Sequence, residues 1–124
     1  MRFLLVSDVH KSYRIYGGRD ESVAVEWLLG VIDEAHPDVL ISAGDWDEGM
    51  REEDFAMINS KVELLTVYGN HENFPVIQSR AMPDGKVLLR GGLKIAGING
   101  LIGEGNKRAY LITREQFMNA VHRI

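Results

Sequence analysis

Three short apolar runs, Phe3-Leu4-Leu5-Val6, Val39-Leu40-Ile41-Ser42 and Leu64-Leu65-Thr66-Val67, each break off into a polar loop. Their length and branched side chains are those of buried strands. Between the first two, a polar, glycine-bearing loop is expected through Gly17-Gly18, and then Ala24, Trp27, Leu28, Val31, Ile32 and Ala35 recur at helical spacing, with Asp20 or Ser22 available as N-cap. The pattern predicts a helix that packs one face on the sheet, with Trp27 in the core. His36-Pro37-Asp38 stops it, and His36 reads as a structural residue at a helix C-terminus, where a hydrogen bond or a positive charge meets free carbonyls. A weaker helical pattern around Glu52 to Ile58 precedes the third strand at 62–67. Strand-helix-strand order implies right-handed parallel connections, so strands at about 3–6, 39–42 and 62–67 bring their following loops to one edge.

The second half is less regular. A helical turn is expected near Pro75 to Arg80, and Lys86 to Arg90, Gly91-Gly92 and Leu93 to Ile98 read as a hairpin. Thr113-Arg114-Glu115-Gln116 is a capping box that opens a helix with Phe117, Ala120, Val121 and Ile124 on one face. The chain ends inside that pattern, without a stop signal. Gly97, Gly100, Gly103 and Gly105 read as loop flexibility rather than a phosphate cradle, because no Lys-Ser/Thr follows and no helix opens there. Lys107 and Arg108 read as a solvated charge pair.

At 124 residues the chain is expected to form one domain, 1–124. A net charge of -4 argues against binding nucleic acid through general basicity, although a nucleotide substrate remains compatible. With no cysteine there is neither a disulfide nor a zinc-thiolate site. The first residues lack the features of a signal peptide, and no apolar run approaches membrane-spanning length, so a soluble cytoplasmic protein is the expectation.

The candidate chemistry lies in the loops after the three runs: Asp8-Val9-His10, Gly44-Asp45-Trp46-Asp47-Glu48 and Gly69-Asn70-His71-Glu72. Together they bring carboxylate, amide and imidazole groups to one rim. A phosphoester repels hydroxide, so a pair of cations about 3.5–4 Å apart both clamps the phosphate and generates a nucleophile from water. Asp45 can bridge two such cations while Asp8 and His10 complete one side and the Asn70 amide oxygen serves the other. This donor mix suits Mn, Fe or Zn better than Ca. His71, not needed as a ligand, is free to act as general acid on the leaving oxygen. Trp46 either packs inside its loop or flanks the substrate.

Asp-x-His, Gly-Asp-x-x-(Asp/Glu) and Gly-Asn-His-Glu, in this order at strand ends, resemble the calcineurin-like metallophosphoesterase superfamily over about residues 1–105. The resemblance implies an α/β fold, a metallophosphoesterase-like β-sandwich flanked by helices. It makes Asp8 and His10 ligands of a first divalent metal, Asp45 the bridge, Asn70 a ligand of a second, and His71 the catalytic histidine, with manganese favoured. The acidic residue that orients this histidine is usually Asp in the family. Here it is Glu48, or else Asp47.

The family pattern continues with an isolated His and then Gly-His-x-His, and neither is present. The only histidine after His71 is His122, on a predicted helix. The first metal thus keeps Asp8, His10 and Asp45 and loses one ligand, whereas the second keeps Asp45 and Asn70 and loses two. The sandwich is expected to be truncated in its second half, as the front part of a longer enzyme or as a reduced relative. Two functions follow from this. One is hydrolysis of a phosphomonoester or phosphodiester, on a small molecule or nucleotide, by a metal-bound hydroxide, weak in this chain. The other is a non-catalytic phosphoesterase-fold domain acting in metal binding or assembly. An exposed sheet face and a free strand edge further predict a homo-oligomer.

Overall fold

The computed structural model of the protein describes residues 1–104 and 108–124; the expectations for Gly105 and Lys107 lie outside the described residues. In chain order the elements are β1 (Phe3–Val6), β2 (Ile15–Tyr16), β3 (Arg19–Asp20), a 3-10 turn (Glu21–Val23) leading into α1 (Ala24–Ala35), β4 (Val39–Ser42), α2 (Glu52–Lys61), β5 (Glu63–Thr66), α3 (Phe74–Ile77), β6 (Leu88–Arg90), β7 (Leu93–Ile95), β8 (Leu101–Ile102), β9 (Leu111–Ile112) and α4 (Arg114–His122).

The three predicted strands form one parallel sheet in the order β1-β4-β5. Their register is in step: Phe3 lies opposite Val39 and Val39 opposite Glu63, while Val6, Ser42 and Thr66 line up at the other end. Because the side chains alternate between faces, the sheet packs on both sides. On one face Leu40, with Leu4 and Leu64, meets Val25, Leu28 and Ile32 of α1 and Phe55 and Ile58 of α2, in a core that also holds Trp46, Met50 and Ile77. On the other face Val39 and Leu65, with Phe3, Ile41 and Val67, meet Met82, Leu88 and Ile95. The predicted β6–β7 hairpin covers this second face, turning at Gly91-Gly92. Burying one such large apolar side chain stabilises the fold by about 1.5–3 kcal/mol.

The caps are local. His36 closes α1 in the left-handed conformation (φ 49°), its N–H donating to the Ile32 carbonyl. Thr113 Oγ1 accepts from the Gln116 N–H at 3.1 Å and Gln116 Oε1 from the Thr113 N–H at 2.8 Å, which is the expected capping box of α4.

Three expectations are corrected. Trp27 is 69% exposed rather than core, because Val25, Leu28 and Ile32 already fill the buried stripe of α1. The polar loop at Gly17-Gly18 is the turn of a small antiparallel hairpin, β2–β3. Gly97 and Gly100 are close-packing positions rather than loose ones: a side chain at Gly97 would run into Val67, and one at Gly100 into the Tyr110 carbonyl beside the parallel β8–β9 pair. Among the described residues, no helix is long and apolar enough to cross a membrane.

Candidate metal centre

The in-step register delivers the three motif loops to one edge of the sheet, and main-chain hydrogen bonds join them there. The Asp8 N–H donates to the Gly44 carbonyl (3.1 Å), His10 N–H to that of Asp45 (3.1 Å), and Lys11 N–H to that of Trp46 (2.8 Å). The third loop joins through Asp45, whose Oδ1 accepts the N–H groups of Asn70 and His71, each at 3.1 Å, and through the Asp47 N–H, which donates to the His71 carbonyl at 2.7 Å. Lys11 then ties the first loop to α2, its ammonium donating to both oxygens of Asp54 at 2.9 and 2.8 Å.

Glu72 is the centre of this frame, and the sequence reading gave it no role. Its buried carboxylate accepts three main-chain N–H groups: Gly69 (2.6 Å) and Asp45 (2.8 Å) on Oε2, and Trp46 (2.8 Å) on Oε1. Burial pushes this carboxyl above the usual carboxylate range, and the three donors oppose that rise. The signal that marks it is its position directly after Gly69-Asn70-His71, where the turn's N–H groups need an acceptor once buried. Two motif glycines are required by the same crowding. A Cβ on Gly44 would stand 2.7 Å from the Gly69 nitrogen, and one on Gly69 would overlap the Asp45 carboxylate. Trp46 packs inward, fully buried, edge-on to Phe55 at 5.3 Å and with its indole N–H donating to Thr66 Oγ1 at 3.0 Å.

The ligand candidates stand in strained backbone. Five described non-glycine residues have positive φ; His36 is one, and the others are Asp8 (55°), His10 (52°), Asp45 (58°) and Asp47 (76°). Each left-handed residue costs roughly 1–2 kcal/mol, less for Asp, and such strain gathers at functional sites. Here it turns Asp8, His10 and Asp45 toward one point, where one ligand atom from each lies within 4.8 Å of the others.

The His10 ring explains how this cluster suits a cation. Its Nδ1 lies 2.9 Å from Asp47 Oδ2, and its Nε2 3.5 Å from Asp8 Oδ1. An Nδ1–H donated to Asp47 leaves the Nε2 lone pair facing the carboxylates, which is the arrangement that orients a metal-ligating histidine. Burial works against charging the ring, but the Asp47 carboxylate, with Asp8 and Asp45 behind it, holds its pKa above the ordinary histidine value. Asp8 titrates below the usual range, chiefly through the Ser7 hydroxyl at 2.5 Å, with His10 adding to the effect. Burial pushes Asp47 up, yet His10, the Glu48 N–H at 2.7 Å and Arg14 together bring it below the ordinary value. The residues present therefore fit a divalent cation in their donor types and in their convergence.

The remaining predicted residues sit as follows. Asn70 enters the site through its main chain. His71 is exposed, its ring centroid 5.7 Å from that of His10. Glu48 is exposed and faces Arg14, whose Nη2 is 3.6 Å from its carboxylate. The structure thus places Asp47 on His10 and Glu48 beside Arg14; among the described residues no hydrogen bond joins either to the His71 ring. His122 is exposed on α4 and belongs to no ligating group among the described residues. A cavity of about 480 Å³ in front of the two histidines is lined by His10, Arg14, Tyr16, Glu21, Asp47 and His71. Arg14 comes from the loop after the first motif and Glu21 from the 3-10 turn before α1, where no spacing marks them. Glu21, His10 and Asp47 also lie close enough to hold an ion, but there Asp47 is already 2.9 Å from His10 Nδ1 and 3.4 Å from Arg14 Nη2.

No curated protein matches this sequence. The family model of the calcineurin-like phosphoesterase superfamily domain matches residues 1–122, which takes in the motif loops, the parallel sheet and the hairpin behind it. With the Asp-x-His, Gly-Asp and Gly-Asn-His-Glu loops meeting at one sheet edge, the chain belongs to the calcineurin-like phosphoesterase superfamily.

Proposed function

We propose that the protein is a metal-dependent phosphoesterase acting on a small phosphoester or nucleotide, with low turnover. The observation that carries this reading is the convergence of Asp8, His10 and Asp45 beside an exposed His71. Asp8, His10 and Asp45 would hold the better cation position, and Asp45 with Asn70 the poorer one. Held there, a divalent cation, manganese by preference, would supply positive charge for the phosphoryl oxygens and make water a better nucleophile. Asp47 fixes the His10 tautomer by accepting the Nδ1 proton. His71 donates an imidazole proton to the leaving oxygen, with Glu48 or Asp47 as the acidic residue that orients it. The Arg14 guanidinium keeps one positive charge in the cavity in front of the histidines.

The test is turnover of an activated aryl phosphodiester and monoester in excess Mn2+, for the wild type and His71→Ala. Slow hydrolysis that falls further in the variant supports the reading. Hydrolysis unaffected by His71→Ala removes that residue as general acid, and no hydrolysis despite Mn2+ binding favours the second reading.

That second reading is a non-catalytic domain that binds metal or assembles. It is favoured by β1, an edge strand of the parallel sheet, on which Leu5 is 71% exposed. Such an edge is suited to a second copy of the chain. Light scattering distinguishes the outcomes: a dimer or larger species that Leu5→Lys dissociates supports assembly, and a monomer at micromolar concentration opposes it. A cysteine-free chain suits a reducing, cytoplasmic setting.

A further inference from the structure

On the other flank of Asp8 and His10 lies a second cavity, of about 600 Å³, between α1 and the β2–β3 hairpin. Val6, Val9, Val23 and Leu28 make it apolar, and Trp27 and Arg19 also line it. Trp27 is the residue expected in the core and found 69% exposed. Here the indole lines a concave space that shares Asp8 and His10 with the cation cluster. Of the acidic side chains in the lining, Asp20 is already engaged, its Oδ1 accepting the N–H and hydroxyl of Ser22 at 3.0 and 2.6 Å. The groove therefore has the size of a small-molecule subsite, with an apolar wall of Val6, Val9, Val23, Leu28 and Trp27 and a polar rim that includes Glu21, and it shares Asp8 and His10 with the place where the phosphoryl group would be held.

We propose that this groove takes the organic group of the substrate, and that this group is a planar aromatic ring, phenyl or nucleobase, stacked on Trp27. The proposal rests on the phosphoesterase reading, since the Asp8-His10-Asp45 cluster is what anchors phosphorus at the groove's end. An exposed indole face rewards a flat π-system over an aliphatic chain, and a guanidinium in the same groove stacks on such rings as well.

The experiment is calorimetric titration of the full chain in Mn2+ with phenylphosphonate and with methylphosphonate, neither of which has a P–O–C bond to hydrolyse. Stacking on one aromatic side chain predicts that the wild type binds phenylphosphonate about tenfold more tightly than methylphosphonate. The ratio should fall several-fold in Trp27→Ala, the remainder being burial on the valines and Leu28, and largely survive in Trp27→Phe. Equal affinities in the wild type, or a ratio unchanged in Trp27→Ala, would overturn the aromatic subsite and leave the phosphoesterase reading in place. Failure of both phosphonates to bind in Mn2+ would overturn that reading and the subsite with it.

Discussion

Asp47 Oδ2 lies 2.9 Å from His10 Nδ1, so a carboxylate from the second motif loop holds the imidazole of a histidine from the first. Such partners typically contribute 10–100-fold to metal affinity. Asp47→Asn, which keeps the size but removes the charge, is therefore expected to weaken Mn2+ binding by at least about tenfold. Calorimetry checks this; unchanged affinity would mean that His10 does not ligate through Nε2.

Asp45 has two duties that substitution can separate. Its Oδ1 takes the Asn70 and His71 N–H groups, and the same carboxylate belongs to the cation cluster. Asp45→Asn should lose most Mn2+ affinity while keeping an acceptor for those N–H groups. Asp45→Ala should lose both, with a small further loss of stability, since water reaches the His71 N–H and part of the Asn70 one. Paired Mn2+ titrations and thermal melts of the two variants test the separation, and Mn2+ binding by Asp45→Ala equal to that of the wild type would remove the bridging role.

Glu72 should behave as a structural residue. Glu72→Ala strands three main-chain N–H groups, of which that of Trp46 is buried, at about 1–3 kcal/mol for each one that water cannot reach. A lowered denaturation midpoint in metal-free buffer is the expected outcome, and a midpoint equal to the wild type's would show that the loops hold together without it.

The pH dependence of the hairpin follows from Glu63 and Arg90. The Arg90 guanidinium, with Nε and Nη2 donating at 2.6 and 2.8 Å, holds the Glu63 carboxyl below its ordinary value. A depressed folded-state pKa gives stability that is present above the unfolded value and lost as pH falls through the folded one. Both side chains are partly exposed, so the effect is small. The melting temperature of Glu63→Gln should lie slightly below that of the wild type at neutral pH, and the gap should close in acid; a gap that widens on acidification would contradict the pairing.

What was legible in the sequence depended on how local its cause was. Phe3–Val6 and Val39–Ser42 stand as strands where the apolar runs placed them, and Thr113 with Gln116 caps α4, because run length and capping spacing are settled by neighbouring residues. Trp27 was misplaced because the positions from Ala24 to Ala35 cover more of the helix circumference than the sheet can bury, and spacing alone does not say which edge of a broad stripe stays outside. The Gly17-Gly18 turn carried a hairpin signal between Ile15-Tyr16 and Arg19-Asp20, but strands of two residues show no periodicity. The ligand candidates Asp8, His10 and Asp45 were legible as motifs and do converge. The link between Asp47 and His10 was not, since it depends on how two loops far apart in sequence pass each other.

The loop frame is built mostly from main-chain groups and from Glu72, with Asp45 and His10 the members of the cation cluster whose side chains also brace it. Asp8 contributes its backbone to that bracing and leaves its side chain outside it. Scaffold and chemistry are thus separable at Asp8: replacing that side chain with another donor changes which ion the rim prefers, while the rim keeps its outline. The same economy lets the chain lose its reactivity by single substitutions long before it loses its shape.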